Sequence, residues 1–137
     1  MYRIRKMFKF EAAHMLASSY SKCCQQLHGH SYKLEVFLTS SKLNNDGMVI
    51  DFGELKNQLA GFFDLIDHAC FLPRSKKKMF RFPPQGHIFL CKDIPTAENM
   101  AEEFFHVIKL GLKLKKGIKL EKVRVHETDT GYAEYWK

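Results

Sequence analysis

Residues 2–14 and 29–40 each alternate between apolar and polar side chains. The apolar positions of shared parity are Ile4, Phe8, Phe10 and Ala12 in the first stretch and Tyr32, Leu34, Val36 and Leu38 in the second. Because successive side chains of a strand point to opposite faces, this pattern predicts two β-strands, each with one buried face. A hairpin between them would place the end of the first beside the start of the second.

Two later stretches repeat apolar residues at spacings of three and four, which predicts amphipathic helices. The first follows Asp51, a residue suited to an N-cap, and should end near Ile66; the second follows Thr96, another N-cap residue. The inward-facing positions are Phe52, Leu55, Leu59 and Phe62 in the first helix and Ala97, Met100, Ala101, Phe104 and Ile108 in the second.

Alternation returns near the carboxyl terminus, from Leu120 to Glu127, and Gly131 separates this stretch from a last strand through Tyr132 to Trp136. Strands therefore occur in adjacent pairs around two helices. This order predicts an α+β fold, with a four-stranded antiparallel sheet and both helices on one face. Residues 69–95, which contain four prolines, predict little regular structure beyond a strand-like stretch at 87–91.

Length and composition indicate a single globular domain that spans residues 1–137, since 45% of the 137 residues are apolar. No apolar run approaches the roughly 20 residues of a membrane span, and the first residues lack a signal-peptide pattern. We therefore expect a cytoplasmic protein. The four cysteines form no Cys-x-x-Cys pair, which favours reduced thiols over a disulfide framework.

The chain has 22 basic and 15 acidic residues and a formal charge of +7, which favours an anionic partner such as a phosphate ester, a nucleic acid or a membrane surface. The excess basic residues lie in two predicted loops, at 74–81 and 113–119, and such runs of charge are most often solvated surface. A zinc-stabilised nucleic-acid-binding protein is one alternative, but its support is the charge alone, because the chain has no Cys/His finger spacing.

The most reactive-looking stretch is His28-Gly29-His30, in which both imidazoles lie on one face of a predicted strand. Two neutral imidazoles half-coordinate a zinc ion, so a third ligand is needed from elsewhere, and His14 at the end of the first strand is the natural choice. A lone histidine there is more often a buried side chain without a ligand role. Three histidines without a fourth protein ligand would form a catalytic zinc site with an open position.

Four further residues have both a chemical and an ordinary interpretation. Cys24 is a reactive thiol if an imidazole is near, and otherwise a small buried residue. Asp67 and His68 could supply that imidazole with an orienting carboxylate, although Asp67 also suits a helix end. Glu127 shares parity with Val123 and Val125, so its carboxylate would point toward buried surface and need a donor pair, such as a ring N–H and an amino group of a planar heterocycle.

Together these positions resemble the 6-pyruvoyltetrahydropterin synthase family over nearly the whole chain. The shared motifs are Phe10-Glu11-Ala12-Ala13-His14, Cys24 three residues before His28-Gly29-His30, Asp51-Phe52, Asp67-His68, Pro95-Thr96-Ala97-Glu98-Asn99 and His126-Glu127-Thr128. Six motifs in the family's order are highly specific. The spacing between the cysteine and His-Gly-His is similar to the bacterial branch, the 6-carboxytetrahydropterin synthases of queuosine and deazapurine biosynthesis.

The resemblance implies the tunnelling fold, assembled from trimeric barrels into a homohexamer with active sites between subunits. It implies that His14, His28 and His30 bind Zn²⁺, that Cys24, Asp67 and His68 transfer protons, and that Glu127 anchors a pterin ring near Thr96 and Glu98. The implied substrate is 7,8-dihydroneopterin triphosphate, converted to 6-carboxytetrahydropterin with release of acetaldehyde and triphosphate. The alternative is the pyruvoyl-forming triphosphate lyase, which stops before the carbon–carbon cleavage.

Two regions depart from the family's pattern. A basic, proline-bearing insertion runs from Arg74 to His87, and Asp129 and Tyr132 stand where smaller or sulfur-bearing residues are expected. Cys23 also duplicates the cysteine one position early. These differences bear on substrate detail rather than on the fold.

Overall fold

The computed structural model describes residues 1–79 and 86–137 and has an α+β architecture. The elements in chain order are β1 (Tyr2–His14), β2 (His28–Ser40), α1 (Phe52–Ile66), β3 (Ala69–Pro73), a 3₁₀ helix (Arg74–Met79), β4 (Ile88–Cys91), α2 (Ala97–Gly111), β5 (Ile118–His126) and β6 (Tyr132–Trp136). Both predicted helices and all four strands predicted by alternation are present.

The sheet is mixed and has six strands in the order β4-β3-β1-β2-β5-β6, so the prediction of a four-stranded antiparallel sheet was wrong in number. The four predicted strands do form an antiparallel run, and β3 and β4 extend it from the edge of β1 in parallel orientation. Residues Ala69–Pro73 are almost continuously buried rather than alternating. A short apolar run of this kind carries no period that identifies a strand.

The β1–β2 hairpin confirms the expected neighbours of the histidine pair. His14 lies opposite His28, and Ala12 lies opposite His30, so all three imidazoles project from one end of the same sheet face.

The helices begin where the N-cap prediction placed them. Asp51 accepts hydrogen bonds from the backbone N–H groups of Gly53 and Glu54, and Thr96 accepts one from Asn99. Both helices bury most of their apolar positions against the β-sheet in a single core, which includes Phe10, Tyr32, Leu34, Leu55, Leu59, Met100 and Phe104. The prediction that Phe52 faces inward was wrong, because this first residue of α1 is 46% exposed. Helix α2 packs on β5 and β6, and α1 packs on β1 and α2.

We call the other side of the sheet the helix-free face; its ionic cluster consists of Arg5, Glu35, Lys122, Arg124, His126 and Glu134. Glu35 is 1% exposed, yet it binds Arg5, Arg124 and His126.

Of the basic insertion predicted at 74–87, the structure describes the 3₁₀ helix, Gly86 and His87, while residues 80–85, including Arg81, lie outside the described residues. Neither helix in the described ranges has the length and apolar character needed to cross a membrane.

Candidate metal and substrate site

Three imidazoles converge at the end of the hairpin. His14 ends β1 and is fully buried, while His28 and His30 open β2 and are partly exposed. One ring nitrogen from each lies within 4.8 Å of those of the other two, which is the geometry of a metal-binding cluster. The ring centroids are 4.6 to 5.2 Å apart.

Backbone carbonyls fix the tautomers of two of these histidines. His14 Nδ1 lies 2.7 Å from the Pro95 carbonyl oxygen, and His28 Nδ1 lies 2.7 Å from that of Gln26. A carbonyl only accepts, so each Nδ1 donates, and in a neutral ring Nε2 is then a bare lone pair. The two Nε2 atoms are nevertheless 3.0 Å apart. Two lone pairs at that distance repel unless a cation lies between them, so the donor set fits a metal such as zinc.

Burial favours the neutral, metal-binding form of His14 and His30. It lowers the pKa of His14, with His28 and His30 adding to the effect and outweighing the Pro95 hydrogen bond and the charge of Glu127. Burial also lowers the pKa of His30, against the opposing charge of Glu127. Neutral imidazole is the form that ligates a metal.

Gly29 allows the hairpin to close tightly beneath the histidines. A Cβ atom at this position would lie 3.2 Å from the Ala12 carbonyl oxygen on the facing strand. This close backbone approach brings β1 and β2 together next to the imidazoles.

Glu127 follows directly after β5 and turns toward the same cluster. Its Oε1 lies 3.3 Å from His14 Nε2 and 3.9 Å from His30 Nε2, and its side chain is 31% exposed. The strand parity pointed to this side of the sheet, where Val123 and Val125 are fully buried. A carboxylate is thus held at the edge of the imidazole cluster.

The side chains of Asp67 and His68 contact each other at the junction of α1 and β3. Asp67 Oδ2 lies 3.1 Å from His68 Nδ1, and Oδ1 accepts from the Glu11 backbone N–H at 2.9 Å. The Glu11 hydrogen bond lowers the pKa of Asp67, and the bond and charge of His68 lower it further despite partial burial. Asp67 can therefore orient the imidazole as a carboxylate.

His68 is the one non-glycine residue with positive φ in the described ranges, at 58°. Its backbone N–H donates to the Glu11 carbonyl oxygen, and its side chain is 77% exposed. Left-handed backbone at a non-glycine residue costs free energy and is concentrated at functional sites. The imidazole borders an open cleft of about 490 Å³ at the β1–β2–β3 junction, together with Glu11, Ser31, Cys70 and His87.

Cys23 and Cys24 lie in the loop between β1 and β2. The Cys24 carbonyl oxygen accepts from the Leu16 N–H at 2.9 Å, and this residue is half-buried, whereas Cys23 is exposed. The Cys23 thiol lies 2.8 Å from the Ser21 hydroxyl; this bond, followed by one to Cys24, lowers the pKa of Cys23. Within the described residues, no hydrogen bond joins Cys24 to Asp67 or His68.

Thr96 and Glu98 lie at the start of α2, next to the carbonyl of Pro95 that binds His14. The Thr96 hydroxyl caps the helix, and Glu98 occupies its first turn, where the helix dipole favours a negative charge. The start of α2 therefore borders the imidazole cluster.

Three contributors to the site were missed at the level of sequence. The carbonyls of Pro95 and Gln26 set the histidine tautomers, and a backbone group leaves no signal in sequence. Tyr32 lies fully buried beneath the imidazoles, with ring centroids 5.4 Å from His30 and 6.0 Å from His14. Its parity with His28 and His30 was the available signal, but the alternation explained it as core.

Comparison with known proteins gives consistent matches along the whole chain. The family model described as 6-pyruvoyl tetrahydropterin synthase matches residues 3–137. A 6-carboxy-5,6,7,8-tetrahydropterin synthase from Helicobacter pylori is 34% identical over 141 residues, covering 96% of this chain and 70% of the relative. The Aquifex aeolicus protein of the same name is 34% identical over 158 residues and covers 98% and 97% of the two chains.

Solved structures agree on the fold. The 6-pyruvoyl tetrahydropterin synthase of Caenorhabditis elegans superposes with a TM-score of 0.78 at 24% identity, covering 99% of this chain and 95% of that one. An uncharacterized protein from Wolinella succinogenes superposes with a TM-score of 0.79 at 21% identity, covering 98% and 97%. At these identities the likeness shows the shared fold.

Proposed function

The chain belongs to the 6-pyruvoyl tetrahydropterin synthase family, and from that premise we propose that it is a zinc-dependent 6-carboxytetrahydropterin synthase. Its substrate would be 7,8-dihydroneopterin triphosphate, and its products 6-carboxytetrahydropterin, acetaldehyde and triphosphate, within queuosine or related deazapurine biosynthesis. The relatives named for this activity cover nearly the full chain, which supports the carboxy-forming branch.

The observation that carries the proposal is the convergence of bare histidine nitrogens. His14 and His28 each use Nδ1 on a backbone carbonyl and direct Nε2 toward one point, with His30 beside them. Zinc held there would supply Lewis acidity to the hydroxyl oxygens of the substrate side chain. Burial of His14 and its bond to Pro95 support fixed orientation, as second-shell contacts do in metal sites.

Glu127 is the proposed anchor for the pterin ring. A carboxylate accepts two hydrogen bonds side by side, which matches a ring N–H and an exocyclic amino group. Its place beside His14 and His30 supports this role, since the ring would then lie next to the metal-binding nitrogens. Thr96 and Glu98, at the start of α2, would border the same space.

His68 and Cys24 are the proposed proton carriers. Asp67 binds His68 Nδ1, which leaves Nε2 free to give or take a proton, and the strained backbone of His68 supports a functional constraint at this residue. Cys24 would accept a proton as the thiolate and return it as the thiol. Proton shifts between the side chain and the reduced ring need no separate redox cofactor, because the two exchange oxidation level.

We also propose that the active site forms between subunits of a homohexamer built as a dimer of trimers. The exposed His68 imidazole faces an open cleft whose lining includes Glu11 and His87 but not Cys24. A catalytic imidazole exposed to this degree suits a neighbour that closes over it.

The decisive experiment is product identification. Zinc-loaded protein supplied with 7,8-dihydroneopterin triphosphate should release 6-carboxytetrahydropterin, acetaldehyde and triphosphate in equal amounts, as measured by mass spectrometry and an aldehyde assay. The His14→Ala/His28→Ala/His30→Ala variant, which lacks the imidazole cluster, is the control and should yield none of the three. A 6-pyruvoyl product without acetaldehyde would instead assign the chain to the pyruvoyl-forming branch.

A further inference from the structure

Glu127 stands directly after the last paired residue of a strand. His126 ends β5, and it pairs with Lys33 of β2 on one side and with Tyr132 of β6 on the other. Glu127 follows, and its carboxylate turns to the opposite face of the sheet, beside the imidazole cluster. The ends of strands open at little cost in free energy unless side chains hold them. The direction of the Glu127 side chain therefore depends on what holds His126.

His126 is held from the helix-free face by Glu35. Its Nε2 lies 3.0 Å from Glu35 Oε2, and because an ionised carboxylate only accepts, Nε2 donates this hydrogen bond. Glu35 is 1% exposed and also binds Arg5 and Arg124, so neighbouring strands on both sides fix its position. Tyr132 packs on the same imidazole, with ring centroids 5.2 Å apart. The His126 side chain thus has a buried hydrogen-bond partner and an aromatic neighbour.

The two residues that depart from the family's pattern near Glu127 take part in the same contacts. Tyr132 packs on His126, and Asp129 binds Lys33, which is the partner of His126 in the β2–β5 pairing. The Asp129 side chain is 86% exposed, so its ion pair contributes less than the buried contact with Glu35. Both departures from the family therefore support the residue that precedes Glu127.

We propose that His126 is a positioning residue, which through its bond to Glu35 holds the end of β5 so that Glu127 points toward the imidazole cluster. This inference rests on the proposed function, in which Glu127 binds the pterin ring. His126 lies on the face opposite the ring and acts through the backbone of β5 rather than by touching the substrate. A carboxylate that is already in place when the ring arrives avoids the free-energy cost of being ordered on binding.

The first test measures binding of the ring without chemistry. His126→Leu removes the N–H that binds Glu35, and zinc-loaded variant should bind unsubstituted pterin at least about tenfold more weakly than wild type of equal zinc content in calorimetric titration. Loss of an outer-shell partner in a metal site typically costs about 10- to 100-fold. His126→Gln, whose amide N–H can replace the imidazole donor, should bind pterin more nearly like the wild type than like His126→Leu.

Lys122→Leu is the matched control. Lys122 lies on the same face of β5, its side chain is 18% exposed like that of His126, and it binds Glu134 in the same ionic cluster. This substitution should lower the free energy of unfolding in urea to a similar extent as His126→Leu, but it should leave the affinity for pterin unchanged. The pair of variants therefore separates a positioning role from a contribution to stability alone.

Each outcome bears on a separate statement. Equal pterin affinity in wild type and His126→Leu, with Glu127→Gln clearly weakened in the same titration, would overturn the positioning role and leave Glu127 as the anchor. Equal affinity in all three proteins would overturn the anchor itself, and this inference with it. A loss of affinity in Lys122→Leu as large as that in His126→Leu would also overturn the positioning role, because the stability of the sheet would then determine ring binding.

Discussion

Cys23 and Cys24 present one thiol too many for the proposed chemistry, and their surroundings differ. Cys24 has the spacing to His28 that the family motif requires, and its carbonyl is tied to Leu16. Cys23 is exposed, and its hydrogen bond to Ser21 lowers the pKa of its thiol, so acidity favours the neighbour. Spacing and acidity therefore point to different residues, and substitution can separate them.

We expect Cys24→Ala to lose turnover by a factor of about 10² or more, the usual range for loss of a positioned acid–base group, while retaining its metal. Cys23→Ala should keep activity close to that of the wild type. Steady-state product formation and metal content, measured on both variants in parallel, provide the check. An inactive Cys23→Ala beside an active Cys24→Ala would show that thiol acidity, and not the motif spacing, selects the residue.

At this scale the sequence predicts which histidines lie together but not how the side chains around them are oriented. Strand parity and the hairpin were sufficient to bring His14, His28 and His30 together, since register fixes which side chains face each other. The left-handed backbone of His68 could not be predicted, because it arises from the bond between its N–H and the Glu11 carbonyl, 57 positions away. Non-local contacts of this kind leave no local pattern.

Glu35 links three strands on the helix-free face. It lies on β2 and binds Arg5 on β1 and both Arg124 and His126 on β5, although it is 1% exposed. Burial alone would raise the pKa of Glu35, but the His126 hydrogen bond and the charges of Arg124 and Arg5 outweigh it and lower the pKa. A carboxylate of this kind stabilises the fold above its unfolded pKa of about 4.3 and loses that effect as the pH falls through its folded pKa.

Glu35→Gln should therefore lower the free energy of unfolding at pH 7 by about 1–3 kcal/mol, the usual cost of leaving buried polar partners unsatisfied. The deficit relative to wild type should shrink as the pH falls below about 4.3, because the carboxyl of unfolded wild-type chain takes up a proton there and that of the folded protein follows at lower pH. Urea unfolding from pH 7 to pH 3, at fixed protein and metal concentration, gives both values.

Glu134→Gln is the matched control, because Glu134 shares the partner Arg124 but its side chain is 25% exposed. Its effect should be smaller, since exposed pairs contribute little. Equal losses for the two variants would mean that the burial of Glu35 does not determine its contribution.

The elements themselves were predictable where the pattern was long. Strands β1 and β2 are thirteen residues long, and helices α1 and α2 are capped by Asp51 and Thr96. Long strands show a clear alternation of apolar and polar residues, and capping residues mark where a helix begins. The five-residue strand β3 has neither, and β4 was recognised only as a strand-like stretch at 87–91. Strand β3 pairs in parallel with β1 and β4 pairs in parallel with β3, so their place in the sheet depends on non-local contacts, and the predicted sheet had four strands where six form.

At the scale of the whole molecule, the proposed catalytic groups of one chain fall into two sets. The imidazole cluster and Glu127 lie together at one end of β1, β2 and β5. Asp67 and His68 lie at the β1–β3 junction, where His68 lines an open cleft that His30 also borders, and the His68 side chain is 77% exposed. In the ring of identical chains that we propose, the second set of one chain would face the first set of the next.

Mixing two inactive variants tests this arrangement. Cys24→Ala and His68→Ala should each be inactive alone, but if each site takes Cys24 from one chain and His68 from its neighbour, mixed oligomers will contain some intact sites. Random pairing of equal amounts in a closed ring restores about one quarter of the sites, so co-expressed variants should regain up to that fraction of wild-type turnover. Cys24→Ala co-expressed with the Cys24→Ala/His68→Ala double variant should regain nothing, because no chain then carries the thiol. Native mass spectrometry should verify that the oligomers are mixed. If mixed oligomers recover no activity, Cys24 and His68 of one chain belong to the same site. The loop between β1 and β2 would then have to reach the His68 cleft within a single subunit.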